Sequence, residues 1–264
     1  MSTRPGVAGT FGLAVGCALV LMFLAFPIAV IVPISFSTTG GIEFPPPGYD
    51  FNRYFKFFAA TDWIDASILS ARVALAATVL AIPVGVGLAL ALVRGRFRGK
   101  GLLNGLLLAP LIVPVVIYAL ALFFFYRQID LFDSELGLVL TYSVISLPYI
   151  VLVTAARLKS FDESLEIAAM SLGASWLRAV WQVTLPLTWS GVFAGALFAF
   201  IHAFDELLIA LFVTGYRTET LPRKMFSSFT NEIDPLMSVV SSLLIALSIF
   251  IGVTAGLAGR KKAV

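Results

Sequence analysis

The stretch DESLEIAAMSLGASWLRAVWQVTLP, residues 162–186, determines how the rest of this chain is interpreted. It is polar and amphipathic, and long apolar segments lie on both sides of it. A polar segment of this kind is costly inside hydrocarbon, so we expect the chain to leave the membrane here and then return. Its most distinctive residues, in order, are Ala168, Ala169, Gly173, Val183, Thr184, Leu185 and Pro186.

The composition predicts a membrane protein. Hydrophobic residues make up 59% of the 264-residue chain and charged residues 12%, whereas soluble domains have about 25% charged residues. The mean hydropathy of +0.99 agrees with this assignment. A chain of this length has room for about six spans of roughly 20 to 25 residues, so we expect one helical bundle and no attached soluble domain.

Six apolar runs are long enough to cross a bilayer. The first is longer than the apolar part of a secretory signal and five more follow it, so it is interpreted as an uncleaved anchor. The predicted spans are about Phe11 to Ile34, Ala66 to Val93, Leu102 to Tyr126, Leu136 to Ala156, Leu187 to Val213, and Leu236 to Leu257.

The distribution of lysine and arginine predicts the orientation. Eleven of them lie in the two tails, in the loop that contains Arg94 to Lys100, and around residues 162–186, against seven on the other side. The positive-inside rule therefore puts both termini and residues 162–186 in the cytoplasm. Because the basic residues cluster in these short connections, membrane topology explains the pI near 9.1 without nucleic acid as a partner.

Residues 162–186 have the features that a protruding docking element needs. Asp162 can cap a short helix whose first turn contains Glu166. Ala168 and Ala169 are small enough for a partner surface to approach closely, and Gly173 can end the helix in a left-handed conformation. A second short helix then leads to Pro186, which can start the next span. The alternative is a simple amphipathic connector between spans.

In order and spacing, these residues resemble the cytoplasmic EAA loop of ABC-importer permeases, E-A-A-x3-G-x9-I-x-L-P. The resemblance implies a MetI-like bundle of α-helices in which this loop couples the permease to a separate ATPase. Two positions depart from the pattern: Ile167 aligns with the glutamate of the family, with Glu166 one residue earlier, and Val183 replaces isoleucine. The implied coupling residues are Glu166, Ala168, Ala169, Gly173, Val183, Leu185 and Pro186.

The resemblance covers most of the chain. Residues 67–92 are similar to the opening span of the permease core. The segment that starts at His202 and the turn FPPPGY at residues 44–49 resemble the spermidine/putrescine permease subgroup. The subgroup implies a bacterial inner-membrane importer of a polyamine, although relatives handle opines, amino-phosphonates and other small solutes. It also implies a second permease subunit, an ATPase dimer that binds ATP and magnesium, and a periplasmic or extracellular solute-binding protein.

The sequence has no motif for chemistry of its own. GRFRGK at residues 95–100 has one residue too few between its glycines for a phosphate-binding loop, and Gly101 stands where serine or threonine should follow. Cys17 is the only cysteine and His202 the only histidine, so a histidine metal cluster is excluded. We therefore expect no enzyme activity, no metal and no cofactor on this chain.

Asp205 and Glu206 are adjacent acids inside an otherwise apolar run. Ionisable groups at membrane depth are costly and usually face a cavity, a partner or a transport path. They are therefore candidates for lining the translocation path and attracting the ammonium groups of a polycation. Buried hydrogen bonds or salt bridges explain them equally well. On one continuous helix the two would lie about 100° apart and could not point at one spot.

The sequence thus predicts an all-α, polytopic permease subunit with six transmembrane helices in one domain, whose core spans about residues 66–257. Two rival classes remain. One is an ion-coupled secondary carrier with Asp205 or Glu206 as its proton site, and the other is a membrane scaffold that transports nothing. Residues 162–186 favour the permease, because neither rival needs a docking element for an ATPase.

Overall fold

A computed structural model describes residues 7–231 and 234–260, and nearly all of them are helical. Within these ranges the only β pairing is an isolated bridge between Ser37 and Tyr49. The all-α prediction is confirmed. The helices are α1 (Val7–Ser35), α2 (Asn52–Ala59), α3 (Thr61–Arg94), α4 (Lys100–Ile112), α5 (Val115–Gln128), α6 (Glu135–Lys159), α7 (Ser164–Ser171), α8 (Trp176–Ala179), α9 (Leu185–Asp205), α10 (Leu208–Val213), α11 (Leu221–Thr230) and α12 (Leu236–Arg260).

The chain forms two compact units, and the first contains the described residues up to Ile64 and from Met225 onward. In this unit α12 packs against α1 and α2. The buried guanidinium of Arg53 donates to the carbonyls of Ile34 at 2.9 Å, Gly41 at 2.7 Å and Thr39. Because these donors are matched by backbone acceptors, Arg53 fixes the segment that follows α1.

The second unit, Asp65–Lys224, is built around the antiparallel pair α6 and α9. A Cβ atom on Gly195 would lie 3.0 Å from the Cα of Ile150, so a larger residue would push the two helices apart. A buried cluster that includes the small side chains of Ala74, Ala77, Ala119 and Ala203 joins α3, α5, α6 and α9. Small residues at helix contacts are typical of bundles in lipid.

The predicted spans appear as apolar helices, but not all of them are continuous. Four helical segments are long and apolar enough to cross a membrane: Gly12–Ser35, Thr61–Arg94, Glu135–Lys159 and Trp176–Asp205. Helices α4 and α5 qualify only as a pair bent by 97°. In α12, the structure describes the side chains of an apolar stretch, Leu236–Ile251, and not those beyond it. The six-span count is therefore confirmed only in part.

One proline accounts for the break in the third predicted span. Pro114 precedes α5 and forces the residue before it out of the helical region, and Val113 is accordingly extended, with ψ of 131°. By contrast, Pro83, Pro110 and Pro148 lie inside helices. Of these four prolines, only Pro114 coincides with a break between helices.

Candidate functional site

Asp162 lies two residues before the short helix α7, in which Glu163 occupies the N-cap position, and it still accepts a backbone N–H at the start of the helix. Its carboxylate accepts the backbone N–H of Ser164 at 2.9 Å. That backbone hydrogen bond and a second one from the Ser164 side chain hold the pKa of Asp162 below its ordinary value. The carboxylate is therefore ionised at the positive end of the helix, where a negative charge is favourable.

Gly173 ends α7 in the left-handed conformation, with φ of +94°. Its N–H donates to the carbonyl of Met170 at 3.0 Å, and the N–H of Ala174 donates to the carbonyl of Ala169 at 3.1 Å. This pair of bonds is the Schellman motif, which a glycine at this position favours. A Cβ atom there would meet no neighbour within 4 Å, so the backbone conformation, and not space, selects glycine.

The side chain of Glu166 points from α7 toward Arg94 and Thr184. It is buried, and one carboxylate oxygen accepts the hydroxyl proton of Thr184 at 2.9 Å. Arg94, the last residue of α3, contacts Glu166 at 3.4 Å and Glu163 at 2.6 Å. We call these four residues the Arg94 cluster. It joins the end of α3 to α7 and to the residues that lead into α9.

The two contacts of Arg94 differ in kind. Its 2.6 Å contact with Glu163 is a close ion pair, but Glu163 is mostly exposed. The 3.4 Å contact with Glu166 lacks hydrogen-bond geometry, and Nε and Nη2 of Arg94 have no hydrogen-bond partner among the described residues. The ring of Phe161 lies 5.6 Å from the guanidinium. Charge attraction, more than hydrogen bonding, therefore holds Arg94 to Glu166.

The opposite face of α7 exposes apolar side chains. Leu165, Ile167 and Leu172 are 46%, 57% and 90% exposed. Ala168 is exposed between them and Ala169 is half-buried. Exposed apolar side chains that cluster on a polar segment are typical of a surface that binds another protein.

The return from this segment differs from the prediction. The chain stays helical from Trp176 to Asp205, through a π-helical turn at Val180–Thr184, so there is no separate second helix before Pro186. Pro186 lacks an N–H, and a π-helical turn is one way in which a helix accommodates the missing donor. Val183 and Leu185 are half-buried on this stretch and Pro186 is exposed.

Asp205 and Glu206 lie at a break in the membrane helix. Helix α9 ends at Asp205, and Glu206 is extended, with ψ of 107°. The carboxylate of Glu206 accepts the N–H of Ile209 at 3.1 Å and so caps α10. The prediction of one continuous span over both acids is therefore wrong. Asp205 is exposed and makes no hydrogen bond or ion pair within the described residues.

Tyrosines and one histidine surround this break. The hydroxyl of Tyr142, on α6, donates to the backbone carbonyl of Glu206 at 3.0 Å. The rings of Tyr149 and His202 lie 4.6 Å apart. Unwound backbone in a membrane helix needs such partners, because lipid supplies none.

A large apolar cavity has neither of these acids in its lining. It measures about 690 Å³ and follows α3, α8 and the start of α9. Its lining includes Trp176, Trp181 and Trp189, and Arg94 is its only charged residue. Because Arg94 is cationic, this cavity is a poor site for an ammonium group.

Several residues of these sites were not identified from the sequence. The sequence predicted no contact of Glu166 with Arg94 or Thr184, which lie 72 and 18 residues away along the chain; Thr184 was noted only as part of the stretch 183–186. Tyr142 is likewise distant from Glu206. The one available signal was the position of Arg94 at the predicted end of a span. There it was counted only among the basic residues that predict the orientation in the membrane.

Comparison with known proteins places these features in context. The family model described as binding-protein-dependent transport system inner membrane component matches residues 81–263. The chain is 31% identical to the spermidine/putrescine transport system permease protein PotC of Haemophilus influenzae, over 92% of this chain and 94% of that protein. It is 30% identical to the putrescine transport system permease protein PotI of Escherichia coli, over 84% and 82%.

A solved structure shares the fold. A chain of a bacterial ABC transporter involved in the import of the acidic polysaccharide alginate superposes with a TM-score of 0.72, covering 97% of this chain and 99% of that chain. The two sequences are 17% identical. At this identity the likeness concerns the fold alone.

Proposed function

Because the chain belongs to the binding-protein-dependent transport system inner membrane components, the permease subunits of ABC importers, we propose that it carries a polyamine across a bacterial inner membrane. It would do so together with a second permease chain, a pair of ATPase chains and an external solute-binding protein. ATP and magnesium would be bound by the ATPase chains. Both termini and residues 162–186 would lie in the cytoplasm.

The observation that supports coupling to an ATPase is the two-sided character of α7. One side is bound into the chain through Glu166, and the other exposes Leu165, Ile167 and Leu172. A partner that captures the exposed side would therefore pull on α3 and α9 through the Arg94 cluster. Closure of the ATPase dimer could then rock the permease chains between inward-open and outward-open states.

The polyamine assignment is supported by the acids at the helix break and by the names of the relatives. Asp205 ends an apolar helix, and its exposed carboxylate makes no hydrogen bond or ion pair within the described residues, so its charge is open to a cation. The ring of Tyr149, which lies 4.6 Å from the ring of His202, would add cation–π attraction for ammonium groups. PotC and PotI are named for spermidine and putrescine transport.

Competition for uptake tests the cargo. Cells that express the complete transporter should accumulate radiolabelled spermidine, and unlabelled putrescine should compete, whereas an amino-phosphonate or an opine should not. Uptake of an anionic solute with no response to polyamines would refute the polyamine assignment. The family assignment would stand after either result.

A further inference from the structure

The middle of the loop Thr214–Thr220, between α10 and α11, is held by one side chain, that of Asp133. Oδ1 of Asp133 accepts the N–H of Gly215 at 2.7 Å, the N–H of Thr218 at 3.1 Å and the hydroxyl of Thr218 at 2.6 Å. Oδ2 accepts the N–H of Arg217 at 3.2 Å. One carboxylate thus organises most of the loop.

Asp133 is well suited to this position. Its φ of +55° is left-handed, a conformation that aspartate and asparagine tolerate better than most residues. Burial raises the pKa of Asp133, but the hydrogen bonds from Thr218, Gly215 and Arg217 outweigh it and leave the pKa below its ordinary value. The carboxylate therefore stabilises the loop throughout the neutral range, and the contribution is lost only as the pH falls through this lowered pKa.

Both ends of the loop are fixed as well. The guanidinium of Arg223 donates to the hydroxyl of Thr214 at the start of the loop. At its end, the N–H of Leu221 donates to the hydroxyl of Ser70 at 2.7 Å. The loop is therefore held in one conformation at its beginning, middle and end.

Tyr216 stands at the tip of this fixed loop with its side chain fully exposed, at 103%. A rigid loop with an exposed tyrosine loses little conformational entropy on binding, and such residues often dominate protein interfaces. The surroundings are charged: Arg217 and Asp130 are exposed, and Arg72 and Glu135 form an exposed ion pair at 2.5 Å. Charged side chains indicate an aqueous layer, so a protein is favoured over lipid as the partner of this ring.

The loop lies at the opposite end of α6 from the docking segment. Asp133 precedes the first turn of α6, whereas Asp162 follows its last turn, and 25 helical residues, about 37 Å, separate the two. If α7 faces the ATPase, Tyr216 faces the outside. We propose that Tyr216 is the aromatic anchor by which this chain binds the external solute-binding protein, and that Asp133 is the positioning residue that holds it. This inference rests on the proposed function.

The test uses the complete transporter in lipid nanodiscs, with a purified, spermidine-loaded solute-binding protein as the probe. Binding affinity and stimulated ATP hydrolysis are measured for each variant. Tyr216→Ala should leave basal hydrolysis unchanged and weaken binding about tenfold or more, the loss typical of a central aromatic residue. Tyr216→Phe keeps the aromatic ring, so its affinity for the binding protein should remain close to that of the unsubstituted transporter.

Asp133→Asn should also weaken binding and should speed hydrogen exchange at the amides of residues 215, 217 and 218. Because Asp133 acts through the tip, the double variant with Tyr216→Ala should bind no more weakly than Tyr216→Ala alone. Additive losses would show that Asp133 acts independently. Phe58→Ala is the matched control: it truncates an exposed aromatic residue on α2, and it should leave binding unchanged.

The possible results separate the two proposals. If the binding protein binds and stimulates the unsubstituted transporter and the Tyr216→Ala variant equally, Tyr216 is not the anchor. The proposed function then stands. If Tyr216→Ala loses the second permease chain on purification, or Phe58→Ala weakens binding as much, the tip is not a specific contact for the binding protein. A parent complex that responds to no binding protein would overturn both proposals.

Discussion

At the scale of single residues, the adjacent acids Asp205 and Glu206 have different environments. The carboxylate of Glu206 caps α10 through the N–H of Ile209, whereas Asp205 is exposed and makes no bond within the described residues. Substitutions of Glu206 therefore test support of the fold, and substitutions of Asp205 test attraction for a cation.

Glu206→Ala removes the acceptor for the Ile209 N–H and should destabilise the protein by roughly 0.5 to 2 kcal/mol, the usual cost of a lost helix cap. Glu206→Gln retains an acceptor and should recover most of this stability in a thermal unfolding assay of the purified complex. Asp205→Asn should leave unfolding unchanged and lower spermidine uptake. Parental uptake by both Asp205→Asn and Glu206→Gln would contradict a role for these charges in the path.

Gly173 provides a second test at this scale. Its left-handed backbone costs other residues about 1 to 2 kcal/mol, more for a β-branched side chain, while asparagine tolerates it. Gly173→Val should therefore disturb the end of α7 and abolish uptake without preventing membrane insertion, and Gly173→Asn should retain transport. If Gly173→Val transports normally and still co-purifies with the ATPase, α7 is not the docking helix.

At the scale of elements, α7 is tied to α3 and to the start of α9 through the buried carboxylate of Glu166. The glutamate of the family pattern is replaced by Ile167, which is exposed. We propose that Glu166 transmits force within this chain, while apolar side chains make the contact with the ATPase.

Substitution of the two glutamates separates these roles. Glu166→Gln keeps the shape and an acceptor for Thr184 but removes the charge opposite Arg94, so we expect ATP hydrolysis to continue while less solute is transported for each ATP. Glu163→Gln is the control, because an exposed ion pair contributes about 0 to 1 kcal/mol. Equal coupling ratios in the parent and Glu166→Gln would show that the Arg94 cluster does not transmit motion.

The sequence predicted the apolar segments of the fold well, because hydropathy reflects the preference of each side chain for lipid over water. It predicted the C-terminal end of α7 equally well, since Gly173 acts through local backbone geometry, and it placed the start within two residues, near Asp162. The break after Asp205 and the contacts of Glu166 were missed. Both depend on partners distant in the chain, Tyr142 for the first and Arg94 for the second, which no local pattern reveals.

At the scale of the whole molecule, the orientation predicted from lysine and arginine can be measured directly. Reporter fusions at Lys100 and Lys262 should give cytoplasmic signals, and a fusion after Pro47 should give an external one. A cytoplasmic signal after Pro47 would reverse the orientation. The docking segment and the Tyr216 loop would then lie on the wrong sides for their proposed partners.

The most direct measurement of the central claim is solute uptake into proteoliposomes that contain the purified permease pair. Labelled spermidine should accumulate only when the ATPase chains, ATP with magnesium inside, and the solute-binding protein outside are all present, and Gly173→Val should abolish the accumulation. Uptake without the ATPase chains, driven by a proton gradient alone, would contradict the claim that this permease is powered through residues 162–186.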